Sequence, residues 1–253
     1  MPDVEIAQRA LRCLDLTDLT DTCTDQAIDS LCAKALDPRG PVAAVCVWPQ
    51  FVVRAREALK GSPVRIATVV NFPAGGEDVG RVTDDVQEAL ADGANEIDLV
   101  LPYGAVRRGD LAAASEMVEA VREMTDQGRL LKVILETGEL REPFLIEAAS
   151  YLAIEAGADF IKTSTGKTPV SATPEAAEIM LRAIKASSRP VGLKPSGGIR
   201  TVADARIYLD LAERIMGQGW ATPKTFRIGA SSVYDALIAA IEGRDAAASA
   251  GTY

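Results

Sequence analysis

The chain has 253 residues, 48% hydrophobic and 25% charged, with a net charge of −9 and a pI of about 4.7. That length suits one large domain or two small ones, and the acidic balance argues against nucleic acid, which wants a basic face. Histidine is absent, which removes His-ligated zinc, a His general base and a Ser-His-Asp triad, and leaves proton chemistry to carboxylates, lysines, tyrosines and water.

The opening MPDVEIAQRA carries acids and lacks a long apolar core, so it does not read as a secretory signal. No apolar run is long enough to span a bilayer. Cys13, Cys23, Cys32 and Cys46 show no C-x-x-C spacing and read as reduced thiols, which makes the cytoplasm the expected setting.

Strand-like and helix-like segments alternate. The strand-like runs are RCLDLT near 12–17, VAAVCVW at 42–48, RIATVVNF at 65–72, EIDLVLP at 96–102, LKVILET at 131–137, FIKTS at 160–164, VGLKP at 191–195 and FRIGA at 226–230. Between them lie stripes at helical spacing, Val79, Val82, Val86 and Leu90, then Leu111, Ala114, Val118 and Val121. Thr173-Pro174 reads as N-cap and first helical residue, and Thr201 opens a capping box. Gly93 and Gly157 sit where helices should stop.

Eight strand–helix units in about 250 residues is the usual size of a (β/α)8 TIM barrel. A doubly wound open sheet is the alternative, but its G-x-G-x-x-G turn after the first strand is missing. The chain is expected to form a single domain over 1–253, ending in a flexible small-residue tail at about 244–253.

GANEID (Gly93–Asp98) and GADFIK (Gly157–Lys162) share a pattern of helix stop, strand and charged residue. On alternate strands, Asp98 and Lys162 should enter the barrel at similar depth. Alternation places Ile97, Leu99 and Leu101 toward the helices and Asp98 inward, and likewise Val191 and Leu193 outward with Gly192 and Lys194 inward. Gly192 is expected to leave space beneath Lys194. Cys46, alternating with Val45 and Val47, is expected to point inward near a strand end. A structural thiol is the favoured reading, and inactivation by reactive aldehydes would follow if it were exposed.

Asp98, Lys162 and Lys194 thus converge near the strand C-termini, where active sites of this fold lie. A neutral lysine can attack a carbonyl to give a Schiff base. A free lysine, with a pKa of about 10.4, is neutral in roughly one molecule in 2,500 at pH 7. A second ammonium about 6 Å away supplies nearly 3 kcal/mol toward lowering it, and desolvation can add the rest. The competing reading is a structural ion pair between Asp98 and Lys162. Two lysines with one carboxylate favour function over it.

Gly166–Lys167, the SGGIRT run from Ser196 and the IGASS run ending at Ser232 follow strands 6, 7 and 8. Phosphate commonly binds on such loops, through close backbone approach at Gly197 and Gly198 and hydroxyls at Ser231 and Ser232. Turn-forming glycines and helix-capping serines are the plainer reading of each taken singly.

FIKTSTGK, VGLKPSGGIRT, EIDLVLPYGAV, LKVILETGEL and FRIGASS together resemble the deoxyribose-phosphate aldolase family over nearly the whole chain. LDLTDL fits one branch of it, since the more widespread form carries a histidine after the aspartate. The resemblance implies a class I aldolase, with no metal and no other cofactor, on a TIM barrel, reversibly cleaving 2-deoxy-D-ribose 5-phosphate to D-glyceraldehyde 3-phosphate and acetaldehyde. It implies Lys162 as the Schiff-base residue, Lys194 as the ammonium that tunes it and Asp98 as the proton relay through water. Phosphate contacts fall on Gly166, Lys167, Gly197, Gly198, Ser231 and Ser232. A C-terminal tyrosine in similar enzymes implies that Tyr253 assists protonation of the enamine. Partners are then small phosphosugars and aldehydes, with no nucleic acid or membrane, and a homo-oligomer is compatible with the family. Another Schiff-base barrel aldolase, a transaldolase-like transferase and a non-catalytic phosphosugar-binding barrel remain as rivals.

Overall fold

The computed structural model describes residues 2–125 and 128–244 of the chain. Eight parallel strands run β1 (Leu14–Asp18), β2 (Ala44–Val47), β3 (Arg65–Val70), β4 (Glu96–Val100), β5 (Leu130–Ile134), β6 (Phe160–Lys162), β7 (Gly192–Lys194) and β8 (Ile228–Ala230). Each falls within one of the expected runs or overlaps it. Strands β1 to β7 pair in chain order, and β8 pairs with β1. The seam between β7 and β8 is closed by bridges at Leu193–Phe226 and Ser196–Gly229. Carried once round the barrel from Asp15, the pairing register returns eight residues displaced, to position 7. A shear of eight on eight strands is the TIM-barrel geometry.

Shear also settles the depth question. Asp98 pairs with Lys132 on β5, and Lys132 with Phe160 on β6. Two strands on, the same height along the barrel axis lies about two residues further along the chain, which is Lys162.

The helices form because their apolar residues recur on one face. Val82, Val86 and Ala89 of the helix Val79–Asp92 are buried against the barrel, with Val79 and Leu90 at the margins. In Leu111–Met124, Ala114, Met117, Val118 and Val121 are buried, but Leu111 is 41% exposed. It is the first residue of that helix, just after the Asp110 cap, so the stripe begins one turn later than its spacing suggests. Thr173 caps the helix Pro174–Ala186 by accepting from Ala176 N. Thr201 and Asp204 form the reciprocal capping box of Val202–Met216.

The large apolar core lies between strands and helices and takes in Ile97, Leu99, Leu101, Val191 and Leu193. The barrel interior is different. A small apolar group of Leu19, Cys46, Ala67 and Val69, capped by Trp48 and Phe72, occupies part of it. Much of the rest is ionic: Asp15, Glu96, Asp98, Lys132, Lys162, Lys194 and Arg227 are all buried. A helix long and apolar enough to cross a membrane does not occur among the described residues.

Candidate active site

Period-two alternation on β4 turns Glu96 and Asp98 inward together, and the same logic on β5, β6 and β7 brings in Lys132, Lys162 and Lys194. Asp98 is the hub. Its Oδ2 accepts from Lys162 Nζ at 2.9 Å and from Lys194 Nζ at 2.7 Å, and its Oδ1 accepts from Lys132 Nζ at 2.7 Å. The expected trio is therefore assembled, with a third lysine that sequence reasoning passed over.

Burial alone would push the Asp98 carboxyl up, but Lys132, Lys162 and Lys194 outweigh it and hold the group well below the usual carboxylate range. Burial pulls Lys194 down, yet Asp15, with Oδ2 2.6 Å from its Nζ, and Asp98 raise it overall. Lys132 is likewise raised by Asp98 and Glu96 against burial. Lys162 goes the other way. Burial pushes its ammonium down, Lys194 adds to that, and Asp98 only partly opposes. Lys162 is also 2% exposed, where Lys132 and Lys194 are fully buried.

A cavity of about 430 Å3 opens among the loops after β6, β7 and β8, its nearest lining residue to Lys162 in the chain being Thr165. All six expected phosphate residues, Gly166, Lys167, Gly197, Gly198, Ser231 and Ser232, line it. Gly197 and Gly198 both have left-handed backbone, φ 82° and 79°. A Cβ on Gly197 would stand 2.6 Å from Ser171 Oγ, so the SGG run is needed for this turn. Ser232 heads the helix Val233–Ile241 without a side-chain capping bond.

Lys167 also has protein partners at the barrel mouth. Its Nζ lies 2.9 Å from Asp21 Oδ1, on the loop after β1, and 5.7 Å above the Trp48 ring. Lys167 therefore crosses toward the opposite side of the barrel mouth. Arg200, inside the quoted SGGIRT run, lines the cavity and adds a cation there.

Gly192 serves a different purpose from the one expected. Its missing side chain makes room for the Phe160 ring, since a Cβ there would meet Phe160 Cε1 at 2.3 Å. The space for the Lys194 shaft comes from Gly229, where a Cβ would lie 3.0 Å from Lys194 Cε. Cys46 does point inward, but it is fully buried and burial pushes its thiol up, which makes it inert as a nucleophile. Tyr253 lies outside the described residues.

Sequence reasoning also missed Glu136, at the end of β5. It is buried, and its carboxylate accepts from Thr165 N, Thr165 Oγ1 and Thr168 Oγ1, tying down the loop that carries Gly166 and Lys167. A signal for Lys132 was present: LKVIL sets a lysine in an apolar run just as FIKTS does.

The chain matches the model of the DeoC/LacD family of aldolases over residues 9–229. A deoxyribose-phosphate aldolase from Agrobacterium fabrum (strain C58) is 53% identical over 250 residues, which is 98% of this chain and 96% of that protein. Among solved structures, a chain from Coccidioides immitis assigned as a deoxyribose-phosphate aldolase is 31% identical with a TM-score of 0.82, over 92% of this chain and 85% of that one. A tetrameric deoxyribose phosphate aldolase from Aeropyrum pernix is 25% identical with a TM-score of 0.74, over 94% and 91% of the two chains. Sequence match and barrel agree, and the chain belongs to the DeoC/LacD family of aldolases.

Proposed function

We propose that this chain reversibly cleaves 2-deoxy-D-ribose 5-phosphate to D-glyceraldehyde 3-phosphate and acetaldehyde through a Schiff base on Lys162. The observation that carries the reading is the contrast among the buried lysines. Lys132 and Lys194 are raised and Lys162 alone is lowered, on a strand whose following loop lines a cavity of glycines, hydroxyls and the cations Lys167 and Arg200.

In this scheme the phosphate rests on the loops of Gly166, Gly197, Gly198, Ser231 and Ser232, with Lys167 and Arg200 supplying charge. That sets the sugar aldehyde toward Lys162. The Lys162 amine adds to C1, and loss of water gives an iminium. The C2–C3 bond then breaks, its electron pair moving to the iminium nitrogen as the C3 hydroxyl gives up its proton. Glyceraldehyde 3-phosphate leaves, protonation of the enamine at C2 restores an iminium, and hydrolysis frees acetaldehyde and the amine.

Asp98 suits proton relay through water because its Oδ2 touches both Lys162 and Lys194. Held low, it stays ionised, as an acceptor that aligns the two lysine nitrogens and a relay water. Tyr253 is proposed to assist the enamine protonation. One catalytic domain suffices, since the family match runs from residue 9 to residue 229. The cytoplasm is the proposed setting. A homo-oligomer is proposed on the precedent of the Aeropyrum pernix tetramer.

Borohydride reduction in the presence of substrate, followed by peptide mass analysis, tests the scheme. A stable adduct on Lys162, lost in Lys162→Ala, supports it. An adduct on another lysine, or none, overturns it, and binding without trapping would indicate a phosphosugar-binding barrel.

A further inference from the structure

Below Lys162 the barrel holds a second tier of ions, organised by Arg227. Its Nη1 donates to Asp15 Oδ1 at 2.6 Å and its Nη2 to Glu96 Oε1 at 3.0 Å. Its Nε donates to Pro223 O at 2.6 Å. The guanidinium lies 5.5 Å from the centre of the Phe160 ring, the ring that Gly192 admits. The fork is thus fixed on every side. The other oxygen of Asp15 lies 2.6 Å from Lys194 Nζ, and Glu96 Oε2 lies 2.7 Å from Lys132 Nζ. The two lysines that flank Lys162 on Asp98 are therefore each held from behind by a carboxylate, and Arg227 holds both carboxylates.

The charges can be counted. Asp15, Glu96 and Asp98 stand against Arg227, Lys132, Lys194 and Lys162, and none of the seven is more than 4% exposed. With Lys162 as an amine the group is neutral, and with Lys162 as an ammonium it carries one uncompensated positive charge. An unpaired charge in such an interior costs several kcal/mol. The groups around the tier do not alter the count. Arg65 approaches Glu96 at 3.6 Å, but its side chain is 39% exposed and screened by water. Cys46 is held as a thiol by burial. The Glu136 carboxylate is occupied by Thr165 and Thr168.

We propose that Arg227 is a positioning residue for the reaction at Lys162, fixing through Asp15 and Glu96 a barrel-floor charge count that balances when Lys162 is the free amine. The inference rests on the Schiff-base reading above. Arg227 touches no reacting atom. It acts by holding Asp15 on Lys194 and Glu96 on Lys132, and by supplying the third permanent cation. Without it, the balanced state is the one with Lys162 protonated, which is not a nucleophile.

The test measures borohydride trapping of acetaldehyde, which carries no phosphate, from about pH 5 to about pH 10. The wild type and four variants are compared: Arg227→Met, Arg227→Lys, Glu96→Gln, and Arg227→Met combined with Glu96→Gln. Arg227→Met should move the acid limb up by about one unit or more, a loss of about tenfold or more at pH 7, with the alkaline plateau kept. Arg227→Lys should leave the limb near wild type, because the charge remains. Glu96→Gln should move it down. The double variant, which removes one charge of each sign, should return it toward wild type. If Arg227→Met does not fold, Glu96→Gln and the double variant still decide by the direction of the limb. Lowered amplitude with an unmoved limb in every folded variant, or limbs moving the same way in Arg227→Met and Glu96→Gln, would overturn the proposal. A wild-type adduct away from Lys162 would instead overturn the Schiff-base reading, so the two failures are distinguishable.

Discussion

Replacing Lys194 with Met removes the cation nearest to Lys162 while keeping much of the side-chain volume. Both nitrogens bond to one oxygen, Asp98 Oδ2, at 2.9 Å and 2.7 Å, which sets them about 4–5 Å apart under ordinary hydrogen-bond angles. At an effective dielectric of about 20 their repulsion is roughly 3–4 kcal/mol, or between two and three pKa units. The loss also frees Asp98 to pair more closely with Lys162, which acts in the same direction. The direction for Lys162 follows: its ammonium is depressed in the native protein, so reactivity appears as pH rises, and Lys194→Met should delay that rise. Trapping of acetaldehyde by borohydride at pH 7 should fall about a hundredfold or more and recover largely as the pH approaches about 10. Asp15 loses Lys194 as well, so melting temperature should be followed in parallel, but a stability defect does not move a pH limb. A trapping profile in Lys194→Met with the wild-type limb would refute the electrostatic account of Lys162.

Replacing Ser231 and Ser232 together with Ala should raise KM for the phosphorylated substrate about tenfold or more and leave free deoxyribose nearly unaffected; equal effects on the two would remove the phosphate role. Glu136→Gln should behave similarly but more mildly, because the amide keeps an acceptor for only part of the Thr165 and Thr168 set. Its readout is KM for phosphorylated against unphosphorylated sugar, and a pure kcat effect would contradict it. Deleting Tyr253 should slow deuterium incorporation at the methyl group of acetaldehyde while leaving trapping on Lys162 intact, and wild-type exchange would return Tyr253 to a frayed terminus.

The fold was legible because its signals are local. All eight runs show apolar residues at strand spacing, and the caps at Thr173 and Thr201 are made by residues within four positions of one another. Asp98, Lys162 and Lys194 were legible for a related reason: each is a charge on the inward phase of a strand, and alternate strands share a layer. The second tier was not. Arg227 meets Asp15 across 212 residues and Glu96 across 131, and only closure of the barrel makes those groups neighbours. A lone charge in FRIGA or LDLT reads equally well as a solvated strand end. The protein partner of Lys167 was hidden for the same reason: the residue lines the cavity, but its ammonium meets Asp21, 146 residues away across the barrel mouth. Sequence spacing carries which way a strand residue points, but partner choice inside a barrel depends on the register of every strand between.

The charge count bears on the bond-breaking step as well as on the resting lysine. If Lys162 is the Schiff-base residue, its nitrogen alternates between neutral amine, cationic iminium and neutral enamine. The floor of Asp15, Glu96, Asp98, Arg227, Lys132 and Lys194 is balanced for the two neutral states and carries one excess positive charge at the iminium. Asp98 Oδ2, in contact with the nitrogen in the resting enzyme at 2.9 Å, offsets part of that excess. The remainder favours the step that returns the electron pair to nitrogen, which is cleavage of the carbon–carbon bond. Removing one carboxylate from the floor should therefore make the iminium scarcer and its collapse to enamine faster. Glu96→Gln is the suitable change, because Glu96 touches Lys132, Arg227 and Arg65 and not Lys162. Measured with acetaldehyde on the alkaline plateau, where Lys162 is fully an amine in both proteins, the rate of deuterium exchange at the methyl group divided by the amount of iminium trapped should rise severalfold over wild type. An unchanged ratio would show that the floor sets only the protonation of the resting lysine and has no hold on the intermediate.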